Sequence, residues 1–167
     1  MICQTEEIWI RNGRRVNTKV KHRKPSGNIF EASLHLCLVS PSAVMMRRQL
    51  FEKFGYFKED FPVCEDYDLW LRVSASLPVH LIDKPYTIKH GGHKDQLSRS
   101  HSQDRYRIKS VKTLIESGEL TQRQVEQASK VLKNKCRIYG NGCIKRGRID
   151  EGQHYLDLAA KWGSDAA

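Results

Sequence analysis

The character of the sequence changes near residue 100, and this change constrains the fold more than any other feature. After Asp104, apolar residues recur at helical spacing in three segments, and Thr121 is a candidate N-cap for the second of them. Before residue 100, short runs typical of strands alternate with short helical segments and with loops that contain Gly or Pro. The sequence therefore predicts an α/β part over residues 1–100 and an α-helical extension over residues 101–167.

Turn-forming residues delimit the elements of the α/β part. The Asn12-Gly13 pair predicts a hairpin turn, Pro41 interrupts a strand-like stretch, and Pro85 lies between two short strands. We predict a hairpin over residues 6–17, followed by a helix over 29–36 and the interrupted strand over 37–48. Two further helices are predicted over residues 48–55 and 65–75, and the two short strands over 79–83 and 86–90.

The charge balance restricts the choice of partner. The chain has 167 residues with 29 Lys and Arg against 19 Asp and Glu, and its formal net charge of +10 favours an anionic partner. Nucleic acid is disfavoured, because the basic residues do not interleave with aromatic residues at a recognisable spacing and no nucleic-acid-binding motif is present. The basic loop of residues 18–28, which contains His22, is either solvated or in contact with membrane headgroups or a lipid-linked diphosphate.

The expected cellular location of the protein and the expected state of its cysteines follow from patterns that the sequence lacks. No window approaches the roughly 20 consecutive apolar residues of a membrane span, and the N-terminus does not resemble a signal peptide. We therefore expect a cytoplasmic protein, peripheral to the membrane if it contacts one. The five cysteines include no C-x-x-C pair, which predicts free buried thiols rather than a zinc or redox site.

Residues 61–73, FPVCEDYDLWLRV, place three carboxylates within four positions: Glu65, Asp66 and Asp68. Asp66 and Asp68 match D-x-D, the pattern by which many nucleotide-sugar enzymes hold a divalent metal against a diphosphate. That pattern is expected at the end of a buried strand, whereas a Pro-containing loop precedes these acids. The apolar residues that follow have helical spacing, so we interpret the acids as the first turn of a helix.

A helix start explains part of this acidic cluster. Backbone N–H groups and the positive end of the helix dipole stabilise ionised carboxylates in a first turn. Asp68 can also pair with Arg72 one turn later, in the favourable orientation. A cap needs one acid and not three, and Trp70 would place a large apolar wall beside them. A reacting carboxylate in the cluster is therefore the second interpretation.

The segment from Gly55 to Arg72, GYFKEDFPVCEDYDLWLR, resembles a segment of inverting family-2 glycosyltransferases of the GT-A fold. In those enzymes the second half of the domain carries G-x-F-D-E-x-F followed by E-D-x-D-L-W-x-R. The flanking runs SPSAVMMRRQLFEKFG and VHLIDKPYTIKHGGHKDQLSRS are similar to their neighbours in the family, so the resemblance covers roughly residues 4–100. It implies an α/β fold, namely a partial GT-A domain with a mixed small sheet and helices.

The resemblance also implies roles for the acidic cluster. Asp66 matches the general base that takes the proton from the acceptor hydroxyl, and Glu65 and Asp68 would shape its environment. An inverting transfer is a single in-line displacement and needs one such group. Trp70 and Arg72 are expected among the substrate-binding residues.

The polar loop after residue 89 supplies further candidates. Asp95 and Gln96 are candidates for the acceptor side. His90 or His93 is a candidate ligand of a divalent metal, Mg or Mn, and the alternative is a loop with two solvated histidines. The expected partners are a nucleotide-diphosphate sugar and a hydroxyl acceptor, lipid-linked or not, which suits cell-surface polysaccharide biosynthesis.

The resemblance covers only one half of such an enzyme. No apolar strand followed by a helix lies upstream of Trp9, so the donor-binding units of the family have no counterpart. We therefore expect a C-terminal fragment of a transferase that is inactive alone. The alternative is a non-enzymatic basic binding module for nucleic acid or anionic surfaces.

Overall fold

The computed structural model describes residues 1–17, 22–91 and 103–162. These residues belong to two compact units, Met1–His101 and Ser102–Ala167. The first unit is mixed α/β, with a small sheet and short helices, and the described part of the second is α-helical. No helix among the described residues is long and apolar enough to cross a membrane.

The sheet of the first unit is built around strand β1 (Ile2–Arg11). β1 pairs antiparallel with β2 (Arg14–Val16) and with β3 (Val44–Met46), and parallel with β4 (His80–Gly91). Asn12 and Gly13 connect β1 to β2 with φ values of 50° and 75°, as a two-residue hairpin turn requires. The predicted hairpin is confirmed.

The prediction of two short strands around Pro85 was wrong, because β4 runs through this residue as one strand. Pro85 lies opposite Glu6, between two register shifts that flank Glu6 on β1. A bulge of this kind interrupts the hydrogen-bond ladder, so a residue without an N–H group is accepted there. The strand-like stretch of residues 37–48 is also shorter than predicted, since Pro41 starts a 3-10 turn and only β3 is extended.

Three helices complete the first unit at the positions that the sequence predicts. They are α1 (Phe30–His35), α2 (Gln49–Phe54) and α3 (Glu65–Ser76). Gly55 ends α2 at φ 78°, and its N–H group donates to the Phe51 carbonyl at 2.8 Å.

The core of the first unit joins α3 to the sheet. Tyr67 on α3 is buried, and its hydroxyl donates to the carbonyl of Leu34 at 2.7 Å, which ties α3 to α1. The fully packed side chains come from β1, from the segments around residues 29 and 39, and from α2, α3 and Val79: Ile2, Ile29, Val39, Leu50, Leu69, Trp70, Val73 and Val79. Packing of this kind fixes how α3 is rotated, and therefore which of its acids face outward.

The second unit contains helices α4 (Gln103–Glu116), α5 (Gln122–Lys145) and α6 (Ile149–Lys161). Thr121 caps α5 in a capping box with Gln124, which confirms the predicted N-cap. All five cysteines are free, as predicted, but only Cys136 and Cys143 are buried, and the prediction of burial was wrong for the other three. Burial raises the pKa of Cys136 on α5 to about 11, so this thiol is protonated and inert at neutral pH.

Helices α5 and α6 approach each other through glycine. A Cβ atom added at Gly152 would lie 2.5 Å from Cγ1 of Ile144 and 2.8 Å from the carbonyl oxygen of Gly140. The backbone oxygen cannot move without disturbing α5. The absence of a side chain at Gly152 is therefore what allows this helix pair to pack.

We expect Gly152→Ala to destabilise the protein although alanine is the better helix former. Overpacking costs about 1–3 kcal/mol, which exceeds the gain in helix propensity of about 1 kcal/mol. Gly142→Ala on α5 is the control, because an added Cβ there would meet only the flexible guanidinium of Arg146. Chemical denaturation followed by circular dichroism should show Gly152→Ala less stable than the wild type and Gly142→Ala at least as stable. Equal stability of the two variants would contradict this packing.

Candidate functional site

A cavity of about 180 Å³ lies in the first unit between the sheet and the first turn of α3. Its wall is formed by β1 and β4, by the loop before α1, by the segment that follows α1, and by α3: Glu7, Trp9, Lys89, His22, Lys24, Cys37, Leu38, Val39, Ser40, Pro41 and Asp66. Five of these side chains are ionisable groups of the Asp, Glu, Lys and His types, a high density of charge for so small a space.

Asp66 contributes a carboxylate to the cavity wall. Its Oδ1 atom accepts a hydrogen bond from the N–H group of Tyr67 at 2.7 Å, and its Oδ2 atom accepts one from the thiol of Cys37 at 3.5 Å. Asp66 forms no ion pair with any residue that the structure describes. A carboxylate that is held in place by neutral donors at a helix start keeps the capacity to accept a proton from a ligand.

The other two acids of the cluster lie elsewhere. Asp68 is 2% exposed and binds two cations, with Oδ1 3.1 Å from Nζ of Lys58 and Oδ2 2.9 Å from the Arg72 guanidinium. Glu65 is the first residue of α3, partly exposed and outside the cavity wall. The structure thus separates the three carboxylates, because helical rotation points Asp66 and Asp68 to different surroundings.

Two of the expected substrate-binding residues take part in packing. Trp70 is 3% exposed, and its ring meets that of Phe57 edge-on at 6.1 Å between centroids. The guanidinium of Arg72 binds Asp68 and donates to the carbonyl of Tyr56 at 2.9 Å. Neither side chain lines the cavity, and their contact with a substrate stays a prediction.

The metal and acceptor-side candidates are only partly described. His90 lies on β4 opposite Ile10 and is not part of the cavity wall. His93, Asp95 and Gln96 fall outside the described residues. Across the described ranges, no group of three or more His, Cys, Asp or Glu side chains is arranged to hold a metal ion. The divalent metal stays a prediction.

Sequence reasoning missed a buried ion pair on the cavity wall. Nζ of Lys24 lies 3.5 Å from Oε2 of Glu7, and the two side chains are 7% and 3% exposed. Lys24 also donates to the Thr5 carbonyl at 2.7 Å, and Nε1 of Trp9 donates to Oε2 of Glu7 at 3.2 Å. The pair is thus hydrogen-bonded on both sides, as a buried ion pair requires.

The environment keeps Glu7 ionised in spite of its burial. Burial raises the pKa of Glu7, but the Ser40 hydroxyl and the charges of Lys89 and Lys24 favour the carboxylate more strongly, so the pKa lies below its ordinary value. Burial lowers the pKa of Lys24, and the carboxylate of Glu7 offsets only part of that effect.

Lys89 is the second cation of the wall that sequence reasoning missed. Its ammonium donates to Oγ of Ser40 at 3.2 Å and lies 5.4 Å from the centroid of the Trp9 ring. The strand register explains the contact, because Lys89 on β4 is paired with Trp9 on β1. The only sequence signal was the alternation of Glu7 and Trp9 along a strand, which places both on one face.

We expect Asp68→Asn to destabilise the first unit. The change weakens two charge-assisted hydrogen bonds and leaves Lys58 and Arg72 without their shared anion, at an expected cost of about 2–4 kcal/mol. Glu65→Gln removes an equal charge from the same helical turn and should change the free energy of unfolding by less than about 0.5 kcal/mol. Urea denaturation of the two variants measures the difference. A neutral effect of Asp68→Asn would show that this acid is not structural.

Comparison with known proteins relates the chain to glycosyltransferases. It is 32% identical over 65 residues to an uncharacterized glycosyltransferase of Rickettsia conorii and 31% identical over 65 residues to one of Rickettsia felis. Each match covers 39% of this chain and 11% of the relative, so the chain spans only about a tenth of the length of these proteins. No family model matches the chain, and no solved structure matches it.

Proposed function

We propose that this chain provides the acceptor side of an inverting family-2 glycosyltransferase of the GT-A fold, with Asp66 as the general base. The observation that carries the proposal is the position of Asp66, the only acid of the E-D-x-D cluster on the cavity wall. The partial similarity to glycosyltransferases and the motif E-D-Y-D-L-W-L-R agree with it. The reaction moves a sugar from a nucleotide-diphosphate sugar to an acceptor hydroxyl.

The surroundings of Asp66 suit a base. The N–H group of Tyr67 fixes the orientation of the carboxylate, and the ion pair of Glu7 with Lys24 is already satisfied and does not compete for it. An acceptor hydroxyl bound in the cavity would donate its hydrogen bond to Asp66. As the bond between the anomeric carbon and the diphosphate breaks, the hydroxyl oxygen bonds to that carbon from the opposite face, and Asp66 takes the proton.

The size of the cavity suits part of an acceptor. Its volume of about 180 Å³ equals the liquid volume of about six water molecules and is below the roughly 300–1,000 Å³ of a typical small-molecule site. Mg or Mn bound with the donor would neutralise the diphosphate in the whole enzyme. The described side chains offer no ligand set for such an ion.

Asp66→Asn in the natural full-length gene product should abolish sugar transfer. Loss of the base removes roughly 10²–10⁴ in rate, while binding of the nucleotide sugar should be unchanged. The measurement is release of nucleoside diphosphate from a panel of nucleotide sugars, with a membrane extract as the source of acceptors. Glu65→Gln is the matched control and should keep most of the activity. Loss of nucleotide-sugar binding in Asp66→Asn would contradict the base assignment and favour the metal-binding interpretation of D-x-D.

Helix α5 favours a second candidate function, contact with an anionic membrane surface. It presents four exposed basic side chains seven or eight residues apart, Arg123, Lys130, Arg137 and Lys145, which places them on one helical face. The face is about 33 Å long from Arg123 to Lys145, from the rise per residue of a helix. Glu126 is the exposed acid of α5, and Gln122 donates to it at 3.4 Å. A straight row of cations without exposed aromatic rings suits binding to an anionic membrane surface better than binding to single-stranded nucleic acid, whose bases stack on aromatic side chains.

We expect neutralisation of this face to weaken binding to vesicles that contain phosphatidylglycerol. Three Gln substitutions, at Lys130, Arg137 and Lys145, should reduce binding about a hundredfold, at roughly fivefold for each charge. Three exposed arginines of the first unit provide a control with the same loss of net charge: Arg14, Arg15 and Arg47. Co-sedimentation measures the difference. An equal loss in the control, or tighter binding to random duplex DNA than to vesicles, would contradict a membrane face on α5.

A further inference from the structure

Two charged side chains of opposite sign on the cavity wall, Asp66 and Lys89, remain available to a ligand. Neither forms an ion pair with a residue in the described ranges 1–17, 22–91 and 103–162. Glu7 lies 3.5 Å from Lys24 and also interacts with the charge of Lys89, and one carboxylate neutralises only one of these two ammonium groups. The wall therefore presents one available anion and one available cation to whatever occupies the cavity.

The available cation is held in a defined position. Pairing of β4 with β1 sets Lys89 beside Trp9, and Thr87 on the same strand donates to the carbonyl of Ser42 at 3.1 Å. Ser40 accepts one of the three N–H groups of the ammonium at 3.2 Å, and the face of the Trp9 ring lies on another side. Donor capacity remains for a ligand, because an ammonium group has three donors and no acceptor.

A neutral ligand in the cavity would leave the positive charge of Lys89 poorly compensated. Filling the cavity removes water from Lys89, and an ammonium group that loses water without gaining an anion is destabilised. A phosphate or carboxylate group placed against Lys89 would replace the lost water with a charge-assisted hydrogen bond. Asp66 disfavours an anion at its own position, so the anionic group and the hydroxyl must occupy different parts of the cavity.

We propose that the cavity selects an acceptor that carries an anionic group, phosphate or carboxylate, in addition to the hydroxyl that reacts. Lys89 binds the anionic group, and Asp66 accepts the hydrogen bond of the hydroxyl. This inference rests on the proposed function and names its acceptor class. It also makes Lys89 a residue that determines specificity for the acceptor, distinct from the base.

The test uses the indole N–H signal of Trp9 in the ¹⁵N-labelled chain, assigned with the variant Trp9→Phe. The probes are glucose, glucose 6-phosphate, glucuronate and a nucleoside diphosphate. We expect glucose 6-phosphate, glucuronate or both to shift the signal at concentrations at least tenfold lower than glucose does. A comparison of the two anionic sugars distinguishes phosphate from carboxylate as the preferred group.

Substitutions of two lysines on β4 distinguish a specific role of Lys89 from an effect of the net charge of the protein. Lys89→Met should weaken binding of the anionic sugar at least tenfold, and Lys89→Arg should restore most of it. Lys84→Met on β4 is the matched control, since Lys84 is exposed and outside the cavity wall. Asp66→Asn should bind the anionic sugar at least as tightly as the wild type, because it removes a nearby negative charge.

Several results would overturn the inference. Lys89 would have no role in selecting the acceptor if glucose bound as tightly as the anionic sugars, or if no probe shifted the Trp9 signal. The same would hold if Lys84→Met weakened binding of the anionic sugar as much as Lys89→Met does. A response to the nucleoside diphosphate alone would assign Lys89 to the donor. These results are distinguishable from failure of the proposed function. If Asp66→Asn loses transfer but the wild type shows no preference for anionic sugars, Asp66 remains the base and only the anionic acceptor class is rejected.

Discussion

The pairing of every described strand with β1 is the constraint on which the first unit depends. β3 pairs with the first residues of β1, where Ile2 is buried and joins the core that carries α3, and β4 pairs with β1 from Cys3 to Arg11. At the other end, Glu7 and Trp9 leave the core and line the cavity. Because one strand serves both regions, the core fixes the register that sets Lys89 beside Trp9, and the cavity inherits its geometry from the sheet.

The acidic cluster shows how one helical turn can carry two kinds of carboxylate. Asp68 is held between Lys58 and Arg72, so its charge is neutralised inside the protein and links α3 to the loop that precedes it. Asp66, two positions earlier, has only neutral donors and faces a cavity. Since a helix rotates each residue by about 100°, two acids separated by one residue lie on nearly opposite sides. Position on the helix, not residue type, decides which acid is neutralised inside the protein and which one lines the cavity.

Sequence patterns predicted the local features well, and the reason is physical. The hairpin at Asn12-Gly13, the end of α2 at Gly55 and the cap at Thr121 depend on residues close together in the chain. Pairing of β4 with β1 joins residues about 80 positions apart, and no local pattern specifies it. For the same reason Asp66 could be chosen from its motif, whereas Glu7, Lys24 and Lys89 could not.

The size and charge of the cavity together bear on where the donor and the acceptor of the proposed transfer would lie. A volume of about 180 Å³ leaves no room for a nucleotide beside an acceptor, so the donor approaches from outside the cavity. An in-line displacement would then place the acceptor hydroxyl between Asp66 and the anomeric carbon. The rest of the acceptor would lie toward Lys89, which lines the same cavity. An anionic group there would give Lys89 a counter-charge, and Asp66 would keep its own charge for the proton of the hydroxyl.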